Sequence, residues 1–494
     1  MKRPNVIFVF SDQHRAQACG YAGDPNVKTP AMDRLAAEGV CFTTAISGMP
    51  VCCPYRAAFM TGQYPHHHGV FLNDLCLTTD AKCIGQAFLE AGYDTAYIGK
   101  WHLYGHGREK PIPASRHLGF EYWKVQECTH DYHRSGYYEG EDPGMRYWQG
   151  YDAAAQTEDA IQYVRGRSKA EQEGKPFFLV LSFGPPHDPY DTAPKRFRAM
   201  YPPESLTLRE NVPEYQKKAA REELSGYYAH ISALDECLGR LMNEVKDCGI
   251  WEDTVFIYTS DHGDMLHSQG VCLKQKPWEE SIRVPLLIRY PRGRRDPGRT
   301  DLPVNSPDLM PTLLDLCRIP IPDTVDGKSF AGEILAPGSG EGACGEIPAD
   351  GIGCGRISAM AGAKNAAGRE QEEGVASGRA QGDDFLPAVL LQCISPSGEW
   401  HKFKGGRPYR GIRTPRYTYV RDLNGPWLLY DNREDPYQLR NLVEEGGFRE
   451  LMERLGEILC HVMREAGDEL LPADVYLKKW GYQVDFLGTN LYDT

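Results

Sequence analysis

A cysteine and an arginine stand one helical turn apart near the start of the chain, in the stretch Cys52-Cys53-Pro54-Tyr55-Arg56-Ala57-Ala58-Phe59-Met60-Thr61-Gly62. Pro54 suits the first turn of a helix, where a missing backbone N–H costs nothing. The start of this helix would therefore present free N–H groups and a positive dipole end to an anion. Arg56 follows Cys52 by four positions, so we expect its guanidinium to reach oxygens gathered at residue 52.

Polar residues also follow several apolar runs that have the length of buried strands. They are Asp12 and Gln13 after Asn5 to Phe10, Lys100 and His102 after Asp94 to Ile98, His187 after Phe177 to Phe183, and Asp261 and His262 after Thr254 to Thr259. Ligand sites in open α/β sheets lie beyond the carboxyl ends of the strands. The pattern therefore predicts that these groups share one site.

The acidic members of this set indicate a metal site. Asp12, Gln13, Asp261 and His262 together form an oxygen-rich group that can hold one hard divalent cation. A single nitrogen donor argues against zinc, and magnesium demands stricter octahedral geometry. Calcium is the first expectation, with magnesium as the alternative.

The elements that must position these residues alternate between apolar runs and helical patterns. This alternation predicts an α/β fold, a large and mostly parallel sheet sandwiched by helices. A further strand is predicted from Val284 to Arg289, and helices are predicted from Thr29 and from Ser306 to Leu316.

The chain is predicted to divide into three parts. Residues 1–335 form the catalytic α/β domain, residues 336–384 form an insertion or linker rich in Gly and Ala, and residues 385–494 form a smaller α+β subdomain. In the last part we expect antiparallel strands and an amphipathic helix. The strands are Ala388 to Cys393, Gly411 to Val420 and Trp427 to Tyr430, and the apolar face of the helix holds Phe448, Leu451, Leu455, Leu459 and Val462.

The composition limits the classes of partner and the cellular compartment that we expect for this protein. The formal net charge is −13 without a long basic run, which favours neither nucleic acid nor an anionic membrane as a partner. The apolar run Val6 to Phe10 is too short for the core of a signal peptide. Fifteen cysteines at irregular spacing fit a reducing compartment better than a disulfide framework. We therefore expect a cytoplasmic protein.

The pattern C-x-P-x-R-x-x-x-M-T-G resembles the signature of type I sulfatases of the alkaline-phosphatase-like superfamily, whose cysteine is oxidised to formylglycine. Cys52, and not Cys53, keeps the register. The stretch from Leu273 to Pro285 also resembles the family pattern K-x-x-x-x-E-x-x-x-R-x-P. Further segments resemble the family in family order, namely Tyr64 to Val70, Met310 to Leu316, Asp326 to Ser329, Arg410 to Thr414 and Asp435 to Leu442.

The chain departs from the family at two positions. Gln13 stands where many members have a second aspartate, which lowers the negative charge of the metal site, and Tyr55 replaces the common serine. The resemblance implies a sulfuric ester hydrolase whose calcium is held by Asp12, Gln13, Asp261, His262 and residue 52. It also implies a maturation enzyme that makes formylglycine from Cys52, and a sulfated small molecule or glycan as substrate.

The resemblance also implies roles in catalysis. Arg56, Lys100, Lys274 and the calcium would hold the sulfate oxygens while hydrated formylglycine attacks sulfur. His187 or Lys274 would protonate the leaving oxygen, and His102 would then take a proton from residue 52 to expel sulfate. A loop shift of two residues would exchange Lys274 with Lys276, so both lysines are candidates.

Two alternatives to a sulfatase remain open, and a run of three histidines needs a separate interpretation. Phosphonate monoester hydrolases and phosphodiesterases share the fold and the formylglycine, and a non-catalytic sugar-binding relative is a less favoured alternative. The sulfated substrate could be a glycan, an aryl sulfate or a steroid sulfate, selected by loops near Asn73, Tyr104 to Arg108, Thr129 to Tyr138 and His401. The run His66 to His68 has the wrong spacing for one compact metal site, so we interpret it as structural or as a substrate subsite.

Overall fold

A computed structural model of the protein describes residues 3–170, 175–291, 298–336 and 387–491. Ten of its strands form one large sheet. They are β1 (Asn5–Asp12), β2 (Val40–Phe42), β4 (Asp94–Lys100), β5 (Tyr122–Gln126), β6 (Gly136–Glu139), β7 (Arg146–Tyr147), β8 (Phe177–Pro186), β9 (Thr254–Ser260), β10 (Leu286–Arg289) and β11 (Gly298–Thr300). A separate short parallel pair joins β3 (Ala45–Ile46) to β12 (Val304–Asn305).

The large sheet has the spatial order β11-β2-β10-β9-β1-β8-β4-β5-β6-β7. Its centre, from β9 to β5, is parallel, whereas β10 and β6 run antiparallel to their neighbours. This arrangement confirms the predicted mostly parallel sheet. The strand predicted from Val284 begins instead at Leu286, because Pro285 has no N–H to donate to a ladder.

Helices cover both faces of the sheet. They are α1 (Pro30–Glu38), α2 (Cys52–Thr61), α3 (Pro65–His68), α4 (Ile84–Glu90), α5 (Asp152–Ala170), α6 (Lys195–Arg198), α7 (Lys217–Asp247), α8 (Glu279–Ile282), α9 (Leu309–Leu316) and α10 (Ala331–Leu335). Side chains alternate along a strand, so Phe8 and Phe10 of β1 pack on the side of α2 and α9, whereas Ile7 and Val9 pack on the side of α1, α5 and α7. The sandwich predicted from the sequence is therefore confirmed.

The C-terminal part forms a four-stranded antiparallel sheet in the order β13 (Val389–Cys393), β14 (Tyr409–Arg413), β15 (Tyr417–Asp422) and β16 (Gly425–Asp431), followed by α11 (Arg449–Glu465) and α12 (Ala473–Trp480). One face of this sheet packs against the predicted apolar face of α11. The other face packs against Ile46 and Ile282 of the larger part. The small sheet is thereby held against the edge where the parallel strands end.

One predicted strand of this sheet was wrong. The run Gly411 to Val420 forms two strands, β14 and β15, separated by a turn. Pro415 cannot donate a ladder hydrogen bond, and the hydroxyl of Thr414 accepts one from Tyr417 N at 2.8 Å. The predicted insertion at 336–384 lies outside the described residues except for Ala336. No helix in the described ranges is long and apolar enough to span a membrane.

A buried ion pair ties the small sheet to its surroundings. The Arg410 guanidinium binds both carboxylate oxygens of Asp468, with Nη2 at 3.0 Å from Oδ1, and both side chains are fully buried. Asp468 also accepts a hydrogen bond from Gln392 of β13 at 2.7 Å. It further lies 3.6 Å from His66 Nδ1 of α3. This carboxylate therefore links two strands of the small sheet to the larger part.

We predict that Asp468→Asn lowers the free energy of unfolding by about 3 kcal/mol or more, because it leaves a buried guanidinium without its counter-charge. Urea unfolding followed by tryptophan fluorescence measures the change. The exposed Asp474 provides the matched control, and Asp474→Asn should cost about 0.5 kcal/mol or less. Equal stability of the two variants would show that the pair contributes nothing.

Candidate active site

Two neighbouring parallel strands bring the first two carboxylates together. β1 ends at Asp12 and β9 ends one residue before Asp261, with Ser11 opposite Ser260 in the register. Asp261 Oδ1 accepts backbone hydrogen bonds from Gln13 N at 3.0 Å and His262 N at 2.9 Å. Asp12, Gln13, Asp261 and His262 are fully buried. The strand ends therefore meet as the sequence pattern predicts.

The N-terminus of α2 completes this group. Cys52 is the first residue of the helix and Pro54 lies in its first turn, as predicted. The Cys52 Sγ atom lies 3.6 Å from Asp12 Oδ1 and 3.3 Å from His262 Nε2. Ligand atoms of Asp12, Cys52, Asp261 and His262 all lie within 4.8 Å of one another. This cluster, called the metal cluster below, has the geometry to hold one ion.

The two oxygens of the Asp12 carboxylate face different groups. Asp12 Oδ1 faces Cys52 and His262, whereas Oδ2 faces Lys100 Nζ at 2.7 Å. Burial raises the pKa of Asp12, but the positive side chains around it, Lys100 foremost, bring the pKa well below its usual value. Asp12 is therefore an ionised carboxylate, a form that suits a hard cation.

The Arg56 guanidinium lies between the two strand-end carboxylates. Nη2 lies 3.2 Å from both Asp12 Oδ2 and Asp261 Oδ2, and Nη1 donates to the carbonyl of Lys100 and the hydroxyl of Ser182. The helical spacing of four residues is as expected. Arg56 neutralises the Oδ2 oxygens of the two strand-end carboxylates.

Gln13 follows Asp12 at the end of β1, and its side chain contacts the loop that carries Lys274. Its Oε1 accepts from Lys274 Nζ at 3.2 Å, and its Nε2 donates to Asp264 Oδ2 at 2.8 Å. The backbone φ of Gln13 is 75°, in the left-handed region. The side chain therefore connects the end of β1 to the loop that carries Lys274.

Lys274 and His187 form a pair on the open side of the metal cluster. Lys274 Nζ donates to His187 Nε2 at 2.6 Å, and Lys274 is flanked by Leu273 and Gln275, whose φ values are 61° and 73°. Lys276 instead donates to the backbone carbonyls of Cys272 and Lys274. The structure thus directs Lys274 to the site and Lys276 into its own loop, and Lys274 is also the lysine that fits the spacing of the pattern K-x-x-x-x-E-x-x-x-R.

His102 lies in a second pair next to the start of α2. Its Nε2 lies 3.0 Å from Asp74 Oδ1, while its Nδ1 is buried and has no hydrogen-bond partner in the described part of the chain. The backbone N–H of Asp74 lies 3.2 Å from the Cys53 sulfur. Burial and the charge of Lys100 lower the pKa of His102 to about 3, so its ring is neutral.

Several residues at this site were missed by sequence reasoning. Asp264 holds the Lys274 loop, because its Oδ1 accepts from Leu266 N at 2.9 Å and Leu273 N at 3.0 Å while its Oδ2 binds Gln13 and Tyr190. Asp264 lies three positions after Asp261 in the sequence, and this closeness to a predicted ligand could have identified it as a site residue. Asp74 and Glu399 lie close to the predicted rim positions Asn73 and His401, whereas Ser182 had no comparable signal.

Other sequence candidates lie outside the metal cluster. His66 binds the carbonyl of Ala466 at 2.8 Å and His67 binds Asp326 at 2.8 Å, so the histidine run has a structural role. Tyr137 stacks on Trp148 with ring centroids 4.5 Å apart. In the predicted rim segment Thr129 to Tyr138, His130 stacks on His187 with ring centroids 4.6 Å apart.

Comparison with known proteins agrees with this geometry. A sequence model of the sulfatase family matches residues 4–319, which is more than half of the chain. An ulvan-active sulfatase of Formosa agariphila is 40% identical over 97% of this chain and 85% of its own length. An endo-4-O-sulfatase of Bacteroides thetaiotaomicron is 30% identical over 94% of this chain and 93% of its own length.

Solved structures show the same fold. One from Bacteroides thetaiotaomicron, described for the metabolism of multiple glycosaminoglycans, superimposes with a TM-score of 0.75 at 28% identity and covers 97% of this chain and 98% of its own. The fold, the motif order and the relatives agree over nearly the whole length. The chain therefore belongs to the sulfatase family, and the protein is a sulfuric ester hydrolase.

Proposed function

We propose that this sulfatase removes sulfate from a sulfated glycan, using a formylglycine made from Cys52 and one calcium ion in the metal cluster. The observation that carries the proposal is the convergence of Asp12, Cys52, Asp261 and His262 within 4.8 Å, beside Lys100 and Lys274. The name of the ulvan-active relative supports a glycan, and ulvan is the first substrate to test.

The residues of the metal cluster fit a hard cation. Two buried carboxylates each turn one oxygen into the cluster, and His262 supplies its one nitrogen. Oxygen-rich ligand sets with a single nitrogen suit calcium better than zinc. When bound, the cation supplies positive charge to the sulfate oxygens.

Residue 52 is placed to act as the nucleophile. It begins α2, where backbone N–H groups and the helix dipole favour an anion. Formylglycine at this position, made by a maturation enzyme, supplies a hydroxyl nucleophile in its hydrated form. Arg56 holds the two carboxylates beside residue 52 through their Oδ2 oxygens.

The remaining side chains bind the sulfate and move protons. Lys100 and Lys274 hold the sulfate oxygens as cationic clamps. The paired His187 and Lys274 offer the proton that the leaving alcohol oxygen needs. On the other side, the unpartnered Nδ1 of neutral His102 accepts a proton from residue 52, and Asp74 stabilises the imidazolium that results.

We predict that the enzyme, produced together with a formylglycine-generating enzyme, releases sulfate from ulvan with a kcat/KM about tenfold or more above that for 4-nitrophenyl sulfate, because remote parts of a substrate add binding energy. Ion chromatography measures the sulfate. D-Glucosamine-2-N,6-O-disulfate and an aryl phosphonate monoester complete the panel. Faster hydrolysis of the phosphonate would favour the phosphonate monoester hydrolase alternative.

We predict that mass spectrometry finds formylglycine at residue 52 and an unmodified thiol at Cys53. Cys52→Ala should lower kcat by about 10³-fold or more, because the nucleophile is lost. Cys460→Ala, on an exposed cysteine of α11, is the matched control and should keep parental activity. A fully active preparation with a thiol at residue 52 would overturn the proposed nucleophile.

We predict that calcium raises the melting temperature of the EDTA-treated protein by a few degrees, since a ligand at about 100 times its Kd adds about 2.7 kcal/mol of stability. Differential scanning fluorimetry measures the shift within each variant. Asp261→Asn should abolish it. Glu223→Gln is the control, because Glu223, His267 and Cys272 form a second group of potential ligands. A shift lost in Glu223→Gln but kept in Asp261→Asn would place the calcium elsewhere.

A further inference from the structure

A carboxylate from the C-terminal part reaches the open side of the active site. Glu399 lies in the short 3₁₀ turn Gly398–Trp400, and its Oε1 is 3.4 Å from Lys274 Nζ. Its side chain is 30% exposed, whereas that of Lys274 is 1% exposed. Glu399 therefore lies between solvent and the lysine that binds sulfate in the proposed mechanism.

The position of Glu399 is fixed by contacts on both sides of its turn. The Gln275 amide donates to Ser397 O at 2.9 Å and accepts from Ser397 N at 3.2 Å. Gly398 N donates to Leu487 O at 3.0 Å, and Trp400 is buried against Tyr409 and Trp427. The turn is thus joined directly to the loop of Lys274, and Glu399 is held at this site by the fold.

The charge of Glu399 opposes sulfate binding. Burial raises the pKa of its carboxyl, but Lys274, His187 and Lys276 outweigh burial and bring the pKa below the usual value. An ionised carboxylate beside a sulfate-binding lysine repels the substrate's anionic group. The carboxylate is therefore suited to contact a part of the substrate other than the sulfate.

The carboxylate also has unused hydrogen-bonding capacity. Oε2 is buried and has no partner within the described residues. An ionised carboxylate accepts up to about four hydrogen bonds and donates none. Hydroxyl groups of a sugar are donors that match this need, whereas an aryl sulfate has no hydroxyl near its ester.

We propose that Glu399 forms a hydroxyl-binding subsite for the sugar ring that carries the sulfate ester. Its carboxylate accepts hydrogen bonds from ring hydroxyls next to the ester, while the sulfate itself lies against Lys274 and the metal cluster. This subsite rests on the glycan sulfatase function proposed above. Because hydrogen bonds to a charged acceptor are strong and directional, the subsite selects hydroxylated alcohols over aryl alcohols.

The experiment compares the parent enzyme with Glu399→Gln and Glu399→Ala on two substrates, 4-nitrophenyl sulfate and the glycan desulfated fastest in the panel above. We expect the ratio of kcat/KM for the glycan to that for the aryl sulfate to fall about tenfold or more in both variants. Glu450→Gln, which removes an exposed carboxylate from the same part of the chain, is the control and should keep the parental ratio.

Binding provides a readout that is independent of turnover. In a Cys52→Ala background, isothermal titration calorimetry should show that Glu399→Gln weakens the affinity for the same glycan about tenfold. Unchanged affinity would overturn the subsite. Equal losses of kcat/KM on both substrates would also overturn it, since they would show that Glu399 only positions Lys274.

The proposed glycan function fails in a different way. A parent enzyme that hydrolyses the aryl sulfate but releases no sulfate from any glycan contradicts that function before a variant is made, and it removes the subsite as well. Glycan activity in the parent with an unchanged ratio in both Glu399 variants contradicts the subsite alone. The two failures are therefore distinguishable.

Discussion

The arrangement of the active site depends on one buried guanidinium. Arg56 lies between Asp12 and Asp261, 3.2 Å from an oxygen of each, and the three side chains are fully buried. Two carboxylates this close would repel each other in a low-dielectric interior, and one would become protonated. The guanidinium removes that repulsion from behind, so one oxygen of each carboxylate remains available to a cation. It also joins β1, β9 and α2 through their charged side chains.

Other charged side chains surround Arg56, Asp12 and Asp261. Lys100 donates a hydrogen bond to Asp12 Oδ2, and Lys274 lies in the loop that Asp264 holds. The larger part of the chain thus supplies every group that handles charge in the proposed reaction. The small antiparallel sheet supplies Glu399, whose proposed contact is with the neutral part of the substrate. Charge chemistry and substrate selection therefore come from separate layers of the fold.

The sequence predicted the parts of the site that depend on local order. Asp12 and Asp261 directly follow strands, and parallel strands end at one edge, so their meeting could be predicted without coordinates. The contacts of Arg56 with Asp12 and Asp261 could not be predicted, because helical spacing says nothing about carboxylates that arrive from neighbouring strands. Lys274 could be chosen over Lys276 by counting, but only the left-handed residues around it show why its side chain turns inward. The loop near His401 was predicted to select the substrate, but the contact of Glu399 with Lys274 could not be predicted, since it depends on how the small sheet docks. The predicted Gly411 to Val420 strand is split by a turn at Pro415, a residue that by itself argues against one continuous strand.

The burial of Cys52 has a consequence for when the protein matures. Only 1% of this residue is exposed, and it lies beneath the groups that surround the start of α2. A second enzyme that oxidises this cysteine must bind the chain around it, which the folded protein does not permit. The proposed oxidation therefore belongs to the interval between synthesis of residue 52 and closure of the sheet. If folding is faster than modification, the folded protein keeps a thiol at residue 52. The active fraction of a preparation would then depend on the rate of modification relative to the rate of folding.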